Sequence, residues 1–520
     1  MADAEAFLRE ASHFRLGSLP TEGQHPKTKA LAQLARDDVG GAVALLQEVD
    51  VDALTHVEAA APRIDALRQQ VTATLDAGGR VFLCGCGATG RLSLALEVLW
   101  RERNAGAPHE DRVVAFMAGG DLALVHSIEN FEDIPAYGAR QLRELGFGDD
   151  DLLIACTEGG ETPFVIGATE EAARVSRRRP WFLYCNPDES LMSVARSRAV
   201  IESEQIEKIS LFVGCMALSG STRMQASTVL QLAVGLALLA CDHTAAVADE
   251  VVAFTQLVSR VDLGFVAALV CLESDIYAAG GGVRYETRTH GITVVTDTTE
   301  RAPTFSMRAF ENDADPTREP ALSYVHIPGT GSALEAWRSL LRREPRTLEW
   351  EGVAVVAGRA RLLGFDFSDA LPEKRAARWH AWALREGRSR GPDGVFAIGR
   401  TVEGGVSLSL TSPEGVVGGA LSMAPLPLLF EHLLLKIALN IHSTLVMGRL
   451  GRYTRNVMTW VRPSNKKLID RTIRYVTLLL ADEGQTASYD EVAHAVFAEI
   501  DDTPPSEPIV LRVFERLRRA

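Results

Sequence analysis

The sequence predicts an α/β fold: two domains side by side, each a parallel sheet flanked by helices, with helical additions at both ends. At 520 residues the chain is longer than one hydrophobic core supports. From residue 80 onward, short apolar runs ending in glycine-rich turns alternate with segments of helical period, the rhythm of strand–helix units in a parallel sheet. The same rhythm starts again near residue 275. The expected organisation is a helical N-terminal region over 1–60, a first domain over 61–250, a second over 251–470 and a C-terminal helical cap over 471–520.

Residues 1–78 alternate polar caps with apolar residues at helical spacing, Leu31, Leu34 and Ala35 and then Val43 to Leu67, and read as a helical preamble. VFLCG (81–85) is a strand, and RLSLALEVLWRE after it a helix. RVVAFMAGG (112–120) is the next strand, followed by LALVHSIENFED as a helix. LLIACT (152–157) ends at another glycine-rich turn, with PFVIGATEEAARV as its helix. WFLYCNP (181–187) and AVIES (199–203) add two strands, and a long helix runs from about Thr222 to Leu239. In the second pass GVRYET, ITVVTD, LSYVHIP and VAVVAG are candidate strands, and residues 425–450 a long buried helix. No low-complexity linker separates the halves, which meet near 245–260. The last fifty residues read as helical, with a proline-rich break at Asp501–Pro508.

Composition narrows the function classes. A hydrophobic fraction of 47% with 23% charged residues is that of a folded globular chain. A formal charge of −14 argues against nucleic-acid and acidic-membrane partners, so an anionic ligand needs a local concentration of donors and cations. The seven cysteines (84, 86, 156, 185, 215, 241 and 271) sit mostly in apolar runs and read as small core residues in a reducing, cytoplasmic compartment. Cys84 and Cys86 lack the two-residue spacer of zinc or redox pairs, so no metal is expected, nor any cofactor. The N-terminus lacks the basic and apolar regions of a signal peptide. The run VLQLAVGLALLAC (229–241) is shorter than the roughly 18 residues of a membrane span.

Three strand-end loops of the first half carry anion donors. Gly85-Cys86-Gly87-Ala88-Thr89-Gly90-Arg91 joins a strand to a helix. Thr157-Glu158-Gly159-Gly160-Glu161-Thr162-Pro163 does the same, offering glycine amides and two hydroxyls at a helix start, where the dipole favours phosphate. Ser219-Gly220-Ser221-Thr222-Arg223 opens the long helix. In a parallel sheet these loops converge beyond the carboxyl ends of the strands. A dinucleotide site is the rival reading of GCGATG, with Asp121 for the ribose, but it leaves the other two loops unexplained. Singly, each loop also reads as a structural turn or a helix N-cap; together they favour one compact phosphate.

These residues resemble the sugar isomerase (SIS) domain group that contains N-acetylmuramic acid 6-phosphate etherase and the glucokinase regulatory protein. The resemblance is carried by GCGATGRL, MAGGDLALVHSIENFED, TEGGETPFVIGA and LSGSTRMQAST, with LPTEGQHPKTKAL similar to the etherase N-terminus. DTTERAPTF (297–305) and HSTLVMGRLGRYTRNVMTWVRPSNKKLIDR (442–471) resemble parts of a second copy, and the whole match spans roughly residues 20–475. The second copy is degenerate, because its first loop, YETRTHG, has lost the glycines. One working site is therefore implied, in an internal pseudo-dimer that is a monomer or a weak homo-oligomer.

Carried over position by position, the resemblance places a sugar phosphate among Gly87, Ala88, Thr89, Thr157, Glu158, Gly159, Glu161, Thr162, Ser219, Ser221 and Thr222, with Lys467 reaching in from the C-terminal segment. Ala88 stands where these relatives have a hydroxyl residue, and Glu158 and Glu161 where they have uncharged or basic ones. The two catalytic glutamates are implied at Glu132 and, from the second copy, at Glu300; the equivalent position in the first helix is Leu99, and Glu97 faces another way. His126 and His290 read as structural or exposed residues and are left out of the site. Two functions follow. One is a carbon–oxygen lyase that eliminates lactate from N-acetylmuramic acid 6-phosphate and rehydrates the product, with two carboxyl groups sharing base and acid duties. The other is a non-catalytic sugar-phosphate sensor that regulates a sugar kinase.

Overall fold

The first half builds a five-stranded sheet whose strands are β1 (Val81–Gly85), β2 (Val113–Met117), β3 (Leu152–Cys156), β4 (Trp181–Tyr184) and β5 (Glu207–Ser210), in the computed structural model of the chain. The described residues are 4–11, 16–17, 19–128, 131–239, 245–315, 318–463, 465–504 and 506–519; Cys241, and Glu129 and Asn130 of the ENFED motif, lie outside them. The order is β2-β1-β3-β4-β5 and every pairing is parallel, with Val81 opposite both Val113 and Leu152. β1 to β4 are buried along their whole length, as expected where helices cover both faces of a parallel sheet. The helix Ala88–Arg103 follows β1, Pro163–Val175 follows β3, and Gln225–Leu239 follows the SGST loop.

The turn from β1 into the Ala88–Arg103 helix needs its glycines. Gly87 has φ 55°, and a Cβ on Gly85 would lie 2.3 Å from the carbonyl of Thr89. The backbone thus doubles back tightly enough to leave the loop facing the sheet's carboxyl end.

The second sheet has the order β10-β9-β8-β6-β7, from β6 (Val283–Glu286), β7 (Ser323–His326), β8 (Gly394–Arg400), β9 (Val406–Ser412) and β10 (Gly415–Ser422). β6 and β7 are the predicted strands GVRYET and LSYVHIP and pair in parallel, whereas β8, parallel to β6, and the antiparallel β9 and β10 are strands that the sequence did not lead one to expect.

Several elements differ from expectation. ITVVTD is part of the helix Gly291–Phe305, not a strand: its β-branched run is buried on most sides between the two halves, and packing overrides the local preference. AVIES belongs to the helix Ala195–Glu202, whose buried Ser197 and Val200 stand three apart on one face, and the strand is the next segment, β5. VAVVAG contains only the short helix Ala354–Ala357, with Val355 81% exposed, so it has no sheet to join. The described residues of LALVHSIENFED are not an α-helix; Asp121–Leu124 forms one 3-10 turn, held by Arg343 and by the Arg346 amide on the Asp121 carboxylate. The long helix starts at Gln225, after turns at 219–224.

The halves share one apolar core that runs from Val81 and Leu83 through Leu230 and Val294 to Leu433 and Leu445. Buried charges brace it: Asp297 lies 3.0 Å from Arg223 of the first half and 3.2 Å from Arg301, which also pairs with Glu273 at 2.8 Å. The helix Leu428–Arg449 is long and apolar enough to cross a membrane, and 94% of its apolar window is buried inside the protein. The C-terminal helices Lys466–Asp482, Tyr489–Ile500 and Ile509–Arg518 match the predicted helical tail. Arg471 and Arg474 of the first of these clamp the buried Glu22 of the N-terminal segment at 2.5 and 3.0 Å.

Candidate functional site

Asn465 accepts a hydrogen bond from the Leu468 amide at 2.9 Å and so starts the Lys466–Asp482 helix where Lys467 enters a cleft. That cleft has a volume of about 230 Å³ and draws its walls from both halves. Gly87, Ala88, Glu132, Glu158, Thr162, Ser221, Thr222, Glu300 and Lys467 all line it. Thr89, Thr157, Gly159, Glu161 and Ser219, expected at the site, are not in its lining.

In the first loop the Thr89 hydroxyl donates to the Cys86 carbonyl and accepts from the Cys86 amide, both at 2.9 Å, so it closes the turn rather than facing the cleft. In the second loop Thr157 lies behind Thr162, with the two hydroxyls 2.9 Å apart. The Gly159 carbonyl accepts from Asn186 at 3.0 Å. In the third loop Ser219 is wholly buried, and the Ser221 hydroxyl is buried without a protein partner.

Glu161 does not confront an anion with an unpaired charge. Its carboxylate lies 2.6 Å from Arg196 and 3.1 Å from Lys467. Burial opposes its ionisation, but Lys467 and Arg196 outweigh that and hold the carboxyl below its usual range. Burial also works against the Lys467 ammonium, yet Glu161 and Glu132 hold it above the usual lysine range, so it enters the cleft as a cation. Glu158 behaves oppositely. Burial lifts its carboxyl to about 8, against a backbone hydrogen bond and Lys467 and in concert with Glu300 and Glu132. At neutral pH it is a protonated donor, and its Oε1 is buried with no protein partner.

The two carboxylates implied as catalytic arrive from opposite halves. The backbone carbonyl of Glu132 accepts from Phe164 at 3.0 Å, which ties its segment to the second loop, and the Cys86 thiol donates to its Oε2 at 3.7 Å. Glu300 lies on the Gly291–Phe305 helix, 2.6 Å from Arg91. Thr299 next to it donates to the Leu124 carbonyl at 2.9 Å and pins this helix against the first half. Glu97 is remote from this chemistry: it is consumed by Arg343 at 3.0 Å and Arg346 at 2.9 Å.

Sequence reasoning missed the cations Arg91, Arg223 and Arg471, which also line the cleft. Arg91 and Arg223 end two of the loops already singled out, which was the available signal; Arg471 follows Lys467 by one helical turn. With Lys467 they concentrate positive charge against the chain's net −14. The arrangement can hold a phosphorylated ligand on loop hydroxyls, amides and cations, with the side chains of Glu132, Glu300 and the protonated Glu158 around the rest of it.

Residues 63–172 match the family model of the glucokinase regulatory protein N-terminal SIS domain. The chain is 33% identical over 227 residues to the N-acetylmuramic acid 6-phosphate etherase of Pectobacterium atrosepticum, a match covering 43% of this chain and 69% of that one. It is 33% identical over 223 residues to the etherase of Mesorhizobium japonicum, covering 42% of this chain and 67% of that one. Among solved structures, the C-terminal domain of glucosamine-fructose-6-phosphate aminotransferase from Francisella tularensis is similar with a TM-score of 0.38 and 10% identity, over 80% of this chain and 97% of that one.

Proposed function

The chain belongs to the N-acetylmuramic acid 6-phosphate etherase family, and from that premise we propose that it is a carbon–oxygen lyase opening the lactyl ether of N-acetylmuramic acid 6-phosphate in the cleft between its halves. The observation that supports this reading is the meeting of Glu132 and Glu300, from opposite halves, in one cleft beside three anion-donor loops. Thr162, Ser221, Thr222 and Lys467 receive the phosphate. One glutamate takes the carbon-bound proton, the electron pair forms a carbon–carbon double bond, and the ether carbon–oxygen bond breaks. The other glutamate supplies the proton that lets lactate leave, and water adds back across the double bond. Glu158, protonated and buried, donates a hydrogen bond to the bound anion or sugar.

Because Glu300 comes from the second copy, one chain completes its own site; the protein works as an internal pseudo-dimer, without a further subunit. The cytoplasm suits this reading, with the six described cysteines all unpaired. The regulatory reading, with a sugar kinase as partner, draws no separate support from the geometry. The test is lactate release from N-acetylmuramic acid 6-phosphate by the purified protein, with Glu300→Gln as control. Release that vanishes in the variant supports the lyase. Intact binding of the ester or of fructose 6-phosphate with no release in the unmodified chain would overturn it and leave a sensor.

A further inference from the structure

The second sheet has its own counterpart of the first glycine loop. β6 lies between β7 and β8 as β1 lies between β2 and β3, and the Gly291–Phe305 helix follows β6 as the Ala88–Arg103 helix follows β1. His290 caps this helix where Gly87 caps the other. Among the described residues, one group of His, Cys, Asp and Glu side chains brings three donor atoms within 4.8 Å of one another: His290, Glu431 and His432. They are 0%, 3% and 1% exposed.

We propose that His290, Glu431 and His432 form a binding site for one divalent transition ion of the Zn²⁺ class, built where the second copy has lost its sugar-phosphate loop. Two imidazoles and a carboxylate are a donor set that suits Zn²⁺ with an open fourth position. His290 Nε2 is 2.8 Å from Glu431 Oε1. His432 Nε2 is buried and has no hydrogen-bond partner, an arrangement that costs free energy unless something occupies its lone pair.

The outer nitrogens are already held as metal-bound histidines require. His290 Nδ1 lies 2.8 Å from the Thr289 hydroxyl, and His432 Nδ1 lies 2.8 Å from the Thr293 hydroxyl. Once each Nδ1–H donates to its threonine hydroxyl, both Nε2 lone pairs can face the ion. Metal binding exchanges the His290–Glu431 hydrogen bond for two metal bonds; the imidazole proton moves from Nε2 to Nδ1, and the ring stays neutral. Ligand atoms about 2.0–2.2 Å from Zn²⁺ are closer together than the present spread, so the side chains must draw in by small rotations. Arg400 is the partly exposed partner of Glu431. Its side chain is 38% exposed and bonds Glu431 Oε1 at 2.9 Å, with Glu102 at 3.5 Å, so its swing toward solvent opens a path and removes a positive charge. The ion would then brace the helices Gly291–Phe305 and Leu428–Arg449 against each other. Glu431 and His432 are far from His290 in sequence, which is why cysteine spacing gave no sign of the site.

The competing reading is a His–Glu–Arg network that holds no ion. Chelator-treated full-length chain is titrated with Co²⁺ and Zn²⁺ alone, followed by the visible Co²⁺ spectrum, metal stoichiometry and melting temperature. The site predicts one equivalent, ligand-field bands without a thiolate charge-transfer band, and a raised melting temperature. His432→Gln and Glu431→Gln should each weaken binding by more than the roughly 10- to 100-fold that losing an outer-shell partner costs. X-ray absorption of the unmodified Zn²⁺-loaded chain should show nitrogen and oxygen ligands with imidazole scattering, a readout that holds even if a variant fails to fold. No bound equivalent, a sulfur-containing shell, or undiminished binding in both folded variants would overturn the proposal.

Discussion

Arg91 Nη1 lies 2.6 Å from Oε1 of Glu300, joining the helix after the first glycine loop to the equivalent helix of the second half. The two side chains are 1% and 10% exposed, so this ion pair is held in the protein interior at the floor of the cleft. It holds Glu300 in the cleft that the three donor loops of the other half also line.

Glu300→Gln is therefore expected to lower turnover by about 10²- to 10⁴-fold, the usual worth of a positioned acid or base. Calorimetric titration with the sugar 6-phosphate should show affinity largely retained. Full activity in the variant would remove Glu300 from the chemistry.

Thr162 lines the cleft at the start of the Pro163–Val175 helix, and its hydroxyl is braced by Thr157 at 2.9 Å. Thr162→Val should weaken sugar-phosphate binding by about 1.5–3 kcal/mol, the range for a hydrogen bond to a charged group. The melting temperature should stay near that of the unmodified chain, because valine fills the same space. Unchanged affinity would displace the phosphate from this loop.

The carboxyl of Glu158, raised by burial to about 8 from 4.5, makes a pH-dependent prediction. Between those values the folded chain keeps a proton that the unfolded chain releases, so this group makes stability fall as pH rises from 4.5 toward 8. Glu158→Gln cannot ionise, and its stability in urea should gain on the unmodified chain across that window. Phosphate binding by the unmodified chain should decline as pH rises past about 8, where Glu158 becomes an anion in the cleft, and the variant should lack that decline. Parallel pH profiles for the two proteins would count against the assignment.

Asp297 accepts from Arg223, Asn440 and Ser443 at 2.9–3.0 Å and pairs with Arg301, linking the SGST loop to both central helices of the second half. Asp297→Ala leaves buried arginines without their counter-charge and should cost about 3–5 kcal/mol. Urea unfolding measures this directly. A loss confined to activity, with normal stability, would mean that the network serves only the ligand.

The glycine loops were legible because a backbone at φ 55° or within 2.3 Å of a neighbouring carbonyl excludes most side chains, and this requirement is local. Strands β1 to β4, β6 and β7 were legible as short apolar runs, whereas β5 and β8, only partly buried, carry no such run and were missed. The Gly291–Phe305 helix was not, because its β-branched run follows strand preference until packing between the halves decides otherwise. Glu132 and Glu300 could be named by resemblance, but not Arg91 as the partner of Glu300. Glu161 could be placed among the site residues by resemblance, but not the pairing of its carboxylate with Arg196 and Lys467.

By itself the sequence determined the turns, the strand–helix rhythm, the three donor loops and the family, since these depend on neighbours along the chain. Only the tertiary structure decided which carboxyl groups share the cleft, that Glu158 keeps its proton while Glu161 gives one up, and that His290 meets Glu431 and His432. Burial and charge act through space, and the residues that supply them come together only when the two halves close on one core.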